Sequence, residues 1–198
     1  MARPDEVEVW DSIYRKGEHR ERWHYREPPQ ELVGLIASGA VPPCPSLDIG
    51  CGAGVEAVWL AKHGFDAHGL DLSPAALRLA RARAKRAGVE VDFRRGDARD
   101  LPFRARAFGL VTDRSCLHTL YRWDWAGYAA EVARVTRPHG LLVLRAARAS
   151  AGPGFTHLRP EDLATYFGRA FSTVGIEKLA VVSDSGDLPA YLALLRRR

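Results

Sequence analysis

The stretch Ser46-Leu47-Asp48-Ile49-Gly50-Cys51-Gly52-Ala53-Gly54 constrains this chain more than any other. An apolar run carrying one acid enters a loop in which every second residue is glycine. The run that follows, Val55-Glu56-Ala57-Val58-Trp59-Leu60, has the character of a helix. Glycine tolerates positive φ and lets a backbone approach a ligand closely. A helix opening just beyond such a loop presents unpaired N–H groups and the positive end of its dipole. Strand, loop and helix together make a pocket for the negative end of a cofactor. A tight turn without a ligand is the plainer reading. Three alternating glycines, with an acid two residues ahead of the first, argue against it.

The chain around this stretch alternates in type. Strands are expected at 46–50, 66–71, 89–94, 108–113 and 141–147. Helices are expected at 55–63, from Ser73-Pro74 to Gly88, and at 124–136. Ser73 suits an N-cap and Pro74 a first helical turn. Such alternation means parallel crossovers and an open sheet wound on both faces. The apolar run Leu141-Leu142-Val143-Leu144 reads as a strand covered on both sides. The tail differs. A short helix from Arg159-Pro160-Glu161 to about Gly168 precedes two strand-like runs, Phe171 to Val182 and Ala190 to Leu195. The turn between them, Asp184-Ser185-Gly186-Asp187, is too short for a parallel crossover, so this pair is antiparallel. The expected fold class is α/β, a doubly wound mixed sheet of seven strands whose C-terminal antiparallel hairpin closes one edge. Its 198 residues and 46% hydrophobic content suit a single domain, 1–198, with a sizeable core. Within it, residues 1–30 form an N-terminal arm and 31–198 the ligand-binding core. The arm is mostly helical over 7–26, interrupted at Gly17, and carries Trp10, Tyr14, Trp23 and Tyr25. It is either a lid over a ligand or a segment packed on the domain edge. Pro29 starts a helix that Gly39 ends, and Val41-Pro42-Pro43-Cys44-Pro45 is a rigid connector.

Composition removes several function classes. No apolar run approaches the ~18–20 residues of a membrane span, and the N-terminus lacks the apolar centre of a signal peptide. A cytoplasmic protein without membrane partners is the expectation. Cys44, Cys51 and Cys116 show no ligand spacing, so neither a disulfide framework nor a metal site is expected. The net charge of +5 raises the question of nucleic acid. Its main cluster, Arg78, Arg81, Arg83, Lys85 and Arg86, reads as the solvated face of a helix.

Ligands of doubly wound sheets sit beyond the carboxyl ends of the strands, at the switch in strand order. The first exit holds the glycine loop. The second holds Asp71, which can accept from both hydroxyls of a ribose or cap the next helix. The third holds Asp97 and Ala98, where the acid can also close a local turn. The fourth holds Asp113-Arg114-Ser115-Cys116-Leu117-His118. Acids at successive exits favour a ligand with hydroxyl and amino donors, or a cation. Gly52, Gly54 and Ala57 also match the G-x-G-x-x-A dinucleotide fingerprint, which keeps a nicotinamide-dependent oxidoreductase open. Against that class, no Tyr–Lys pair stands at helical spacing.

The fuller pattern D-x-G-x-G-x-G, from Asp48 through Gly50 and Gly52 to Gly54, occurs with Gly69-Leu70-Asp71-Leu72-Ser73-Pro74 and Gly96-Asp97-Ala98-Arg99-Asp100-Leu101-Pro102. Together these segments resemble the class I S-adenosylmethionine-dependent methyltransferases, from about residue 31 to the end. The resemblance implies a Rossmann-like fold, S-adenosyl-L-methionine as cofactor and a small-molecule acceptor methylated by in-line displacement. By it, Gly50, Gly52 and Gly54 line the methionine part, and Asp48 steadies the loop and receives the ammonium. Asp71 binds the ribose hydroxyls, Leu72 packs on the adenine, Asp97 accepts from its amino group and the Ala98 N–H meets the ring. Asp113 joins the cofactor set. The segment after the fourth strand would face the acceptor, with Arg114 holding an anionic group and His118 taking a proton. A surface salt bridge and a structural histidine are the plainer roles for these two. Trp10-Asp11-Ser12-Ile13-Tyr14 and Asp113-Arg114-Ser115 are loosely similar to small thiopurine, thiol and tellurite-resistance methyltransferases, which implies a soft nucleophile. The fourth exit does not resemble the Asp/Asn-Pro-Pro-Tyr/Phe signature of nucleic-acid adenine methyltransferases. A cofactor-binding regulator without turnover stays open.

Overall fold

The structure is a computed structural model that describes residues 4–23, 26–148, 156–181 and 187–198. Its centre is a seven-stranded sheet in the order β3-β2-β1-β4-β5-β7-β6. The strands are β1 (Pro45–Ile49), β2 (Asp66–Asp71), β3 (Asp92–Arg95), β4 (Phe108–Arg114), β5 (Thr136–Ala147), β6 (Phe171–Val181) and β7 (Leu188–Arg197). The first five pair in parallel. The last hairpin is antiparallel, with β7 inserted between β5 and β6. This is the mixed sheet expected from the strand–helix alternation. Asp184, Ser185 and Gly186 of the expected turn lie outside the described residues, as does Tyr25 of the arm.

The run Leu141–Leu144 divides between two cores, as a strand covered on both faces must. Leu141 and Val143 pack with Leu32 of helix α3 (Gln30–Ala37) and Leu60 of helix α4 (Val55–Lys62). Leu142 and Leu144 pack on the other face with Tyr128 and Val132 of helix α6 (Trp125–Val135). Strand alternation carries this division to the sheet's upper edge. On β4, Thr112 and Arg114 face the α4 side, and Asp113 faces α6.

Helix α5 (Pro74–Ala87) begins as its sequence requires: the Ser73 hydroxyl accepts from the Ala76 N–H at 3.0 Å, and Pro74 fills the first turn. It ends at Gly88, in the left-handed region at φ 67°. The Val89 N–H still closes on the Ala84 carbonyl, so β3 starts at Asp92 rather than at 89. Of the basic cluster on α5, Arg78, Arg81, Lys85 and Arg86 are exposed, whereas Arg83 turns inward and donates to the Ala53 carbonyl. The arm is helix α1 (Pro4–Lys16) and a single turn, α2 (His19–Arg22), broken at Gly17. Helix α7 (Pro160–Asp162) runs on as a π-turn over Leu163–Phe167. No helix among the described residues is long and apolar enough to cross a membrane.

Candidate active site

A cavity of about 480 Å³ opens over the carboxyl ends of β1, β2, β3 and β4, on the side where the strand order reverses. Its size is ordinary for a small-molecule site. Asp48, Gly50, Gly52, Asp71, Leu72, Asp97, Ala98, Arg114 and His118 all line it. The topology therefore brings together nine of the eleven residues singled out from the sequence. Gly54 and Asp113 are not among the lining residues.

Gly52 and Gly54 need glycine for different reasons. Both have positive φ, 51° and 75°. A Cβ on Gly52 would stand 2.5 Å from the Tyr14 hydroxyl, inside the cavity wall. A Cβ on Gly54 would meet Ala80 at 2.9 Å and Phe93 at 3.0 Å, in the packing of α5 and β3. Gly54 thus caps α4 and lets two helices close together, while its neighbours Ala53 and Val55 line the cavity. Its place in the packing of α5 and β3 weakens the dinucleotide fingerprint, whose second glycine must approach a pyrophosphate.

Asp71 ties the loop to the second strand exit. Its Oδ2 accepts from the Gly52 N–H at 2.9 Å and its Oδ1 from the Ser73 N–H at 2.8 Å. Burial pushes its carboxyl up to about 6, against the lowering effect of the Ser73, Gly52 and Leu72 N–H groups. Asp48 is buried beneath the loop and accepts from the Thr112 hydroxyl at 3.2 Å. Burial and then the Glu56 carboxylate push it well above the ordinary carboxylate range. Asp97 accepts the Arg99 N–H and the Arg99 Nε, both at 2.9 Å. Fewer of its lone pairs are left for a ligand than the local pattern Gly96-Asp97-Ala98 implies.

Asp113 points to α6, as strand alternation dictates. It accepts from Cys116 N–H at 2.7 Å, Leu117 N–H at 2.9 Å and the Tyr128 hydroxyl at 2.6 Å. It holds the turn after β4 in shape from below. The two residues expected to serve the acceptor are likewise engaged. Arg114 Nε lies 2.8 Å from Glu56 Oε1. His118 is buried, on the short turn Leu117–Thr119, and its Nδ1 accepts the Ala147 N–H at 2.7 Å. The imidazole proton therefore sits on Nε2. Burial, then His157, pushes its pKa down to about 3. A neutral ring with an occupied acceptor nitrogen does not take up a proton, so the geometry favours the structural histidine.

Sequence reasoning missed the charged floor. Glu56, buried at the start of α4, faces Arg114 and also Arg145 of β5 at 3.4 Å. Arg145 is 1% exposed, and its Nε and Nη2 find no partner among the described residues. The signal was present: Arg145 is a lone cation within an apolar strand run, and Glu56 a lone acid in an apolar helix start.

The arm forms one wall. Trp10, Tyr14, His19 and Trp23 border the cavity, Trp10 packs edge-on against Trp23, and Tyr14 stacks on His19. Two anchors hold α1 down, one a pair of hydrogen bonds and one an ion pair. Asp11 Oδ1 accepts from the Ser73 hydroxyl at 2.9 Å and the Ala75 N–H at 2.7 Å, at the start of α5. Glu6 meets Arg99 at 2.6 Å, and Arg99 also binds Asp97 and Asp124. Both anchors fall on the loops that follow β2 and β3. Among the described residues no cluster of three or more His, Cys, Asp or Glu could hold a metal, and Cys44, Cys51 and Cys116 are free thiols.

Comparison with known proteins agrees with this geometry. Residues 47–140 match the model of a methyltransferase domain family. The 2-heptyl-1-hydroxyquinolin-4(1H)-one methyltransferase of Mycobacteroides abscessus is 31% identical over 138 residues, which cover 66% of this chain and 60% of that one. The chain spans about half the length of the curated relatives it matches. A structure solved in work on the conversion of a disulfide bond into a thioacetal group during echinomycin biosynthesis aligns over 97% of this chain and 92% of its own, with TM-score 0.86 and 27% identity. The Burkholderia thailandensis 1,6-didemethyltoxoflavin-N1-methyltransferase, solved with S-adenosylhomocysteine, shares the fold over 100% of this chain and 91% of its own at TM-score 0.76 and 21% identity. With the glycine loop and the acids placed as described, residues 47–140 resemble a methyltransferase domain, and the chain shares its fold with methyltransferases solved with S-adenosylhomocysteine.

Proposed function

We propose that this chain transfers a methyl group from S-adenosylmethionine to a small-molecule acceptor by in-line displacement. The observation that carries the reading is the convergence of the glycine loop, Asp48, Asp71 and Asp97 on one cavity. The donor set fits the cofactor. Each oxygen of Asp71 accepts one backbone N–H and keeps a further lone pair for a ribose hydroxyl. The bare Cα of Gly52 leaves room for the methionine part, which Gly50 and Asp48 would also border. Leu72 and Ala98 offer an apolar face and a main-chain edge to the adenine, with Asp97 beside them. When bound, the cofactor supplies a methyl group already activated on a positively charged sulfur.

The protein's own contribution is positioning and exclusion of water, which can supply about 7–11 kcal/mol of rate acceleration. With His118 and Arg114 both engaged, the acceptor atom is one that arrives with its lone pair available: a sulfur, an amine or an already ionised oxygen. The 27% identical structure connected with a disulfide substrate, and the quinolone methyltransferase relative, support acceptors of this kind. Calorimetry with S-adenosylhomocysteine and with NAD separates the cofactor classes: heat is expected from the first only. A panel of thiols, quinolones and amines, read by release of the demethylated cofactor, then finds the acceptor. Tight NAD binding without S-adenosylhomocysteine binding would sink the reading.

In this scheme the arm is a cover. Its aromatic residues wall the cavity, and its anchors lie on the loops that would hold the ribose and adenine. Hydrogen exchange over Pro4–Lys16 is expected to slow when S-adenosylhomocysteine binds, because closing the arm protects its amides. Identical exchange with and without the nucleoside would leave α1 as edge packing.

A further inference from the structure

We propose that the stacked pair Tyr121–Trp123, at the cavity mouth, is the platform on which a planar, ring-bearing methyl acceptor is seated. The inference rests on the methyl-transfer reading and adds the acceptor's chemical class. Tyr121 borders the cavity. The Tyr121 and Trp123 rings are parallel within 6°, with centroids 4.5 Å apart. Trp123 is 71% exposed, so the indole leaves a broad face to solvent although tryptophan is ordinarily well buried. Val9 of α1, 56% exposed, also borders the cavity and adds apolar surface to the mouth.

The contrast with Trp125, two residues on, shows what a structural tryptophan looks like here. Trp125 is fully buried, donates its Nε1–H to the Leu120 carbonyl and carries the Arg122 guanidinium 4.4 Å above its ring. Trp123 contributes nothing comparable to the core. Yet the backbone that carries it is pinned on both sides. Arg122 donates to the His157 carbonyl at 2.6 Å and pairs with Asp162 at 2.8 Å, and Asp124 pairs with Arg99 at 2.9 Å. A flat aromatic surface held on a rigid segment loses little freedom when a ring settles on it. Offset stacking selects planar partners over flexible chains of equal hydrophobicity. Tyr121 belongs to the cavity lining, so a ring seated on the pair lies at the cavity's edge.

The test uses the full chain saturated with S-adenosylhomocysteine. The probes are 2-heptyl-1-hydroxyquinolin-4(1H)-one as the planar ligand and decanoate as the flexible one, both followed by calorimetry. Wild type is expected to bind the quinolone more tightly than decanoate. Trp123→Ala should weaken the quinolone about tenfold, and Trp123→Phe less, since a smaller ring remains. Decanoate binding, S-adenosylhomocysteine affinity and Tm should not change. Equal quinolone affinity in Trp123→Ala overturns the proposal, as does a nucleoside-loaded wild type that takes up no quinolone. Dimerisation or binding to phosphatidylcholine vesicles that Trp123→Ala abolishes would reassign the face and overturn it too. Absence of S-adenosylhomocysteine binding to wild type is a different failure, that of the methyl-transfer reading itself.

Discussion

Asp71→Ala is expected to lower S-adenosylhomocysteine affinity about 100-fold, close to 3 kcal/mol, by calorimetry at neutral pH. The carboxylate does two jobs that the substitution removes together. It fixes the glycine loop through the Gly52 N–H, and in the proposed reading it would offer its remaining lone pairs to the ribose diol. Asp71→Asn keeps one acceptor oxygen and should lose less. The same group sets a pH dependence. With its carboxyl raised to about 6 by burial, Asp71 begins to protonate just below neutrality. Hydroxyl donors favour the ionised form, so affinity should fall as pH drops through about 6, and binding near pH 6 should release protons. For folding the sign is opposite. A native pKa above the unfolded one means the native state holds its proton longer. That contribution to stability is complete below about pH 4 and is lost as pH rises through about 6. An affinity unchanged by Asp71→Ala would show that the ribose is bound elsewhere.

Asp113→Ala should act on stability instead. Removing the carboxylate strands the Leu117 N–H and the Tyr128 hydroxyl in the interior and the Cys116 N–H in a half-buried turn. A loss of about 3–5 kcal/mol is expected, or a fall in Tm of about 10 °C by circular dichroism. Tyr128→Phe removes one of the three donors and should cost about 1–2 kcal/mol. Folded Asp113→Ala should keep the affinity of wild type for S-adenosylhomocysteine. A variant with unchanged Tm and weakened nucleoside binding would return Asp113 to the cofactor set.

The two aspartates show where sequence reading succeeds and where it stops. Asp71 ends β2 and Asp113 stands one residue before the end of β4, and each has a carboxyl raised to about 6. Strand alternation separates them: Asp113 shares its face with Val111 and looks to α6, whereas Asp71 shares its face with Ala67, on the α4 side. That distinction was available from the alternating pattern of β4, once the two cores were known. Gly54 is a similar case. Its left-handed φ follows from its place as the cap of α4, but its neighbours Ala80 and Phe93 belong to elements 26 and 39 residues away in the chain. His118 illustrates a different gap. Its type suggests proton transfer, and only the Ala147 N–H against Nδ1 reveals the occupied acceptor.

Local chemistry alone determined the element order, the mixed sheet with its antiparallel end, and the strand exits at which acids and glycines gather. These follow from periodicity, turn length and backbone freedom, which act over a few residues. Tertiary structure decided which of those groups share a cavity, that Asp11 and Glu6 reach across to anchor the arm, and that Arg114 and Arg145 converge on Glu56. Those outcomes depend on which faces of distant elements meet, a matter of packing geometry that no short window of the chain contains.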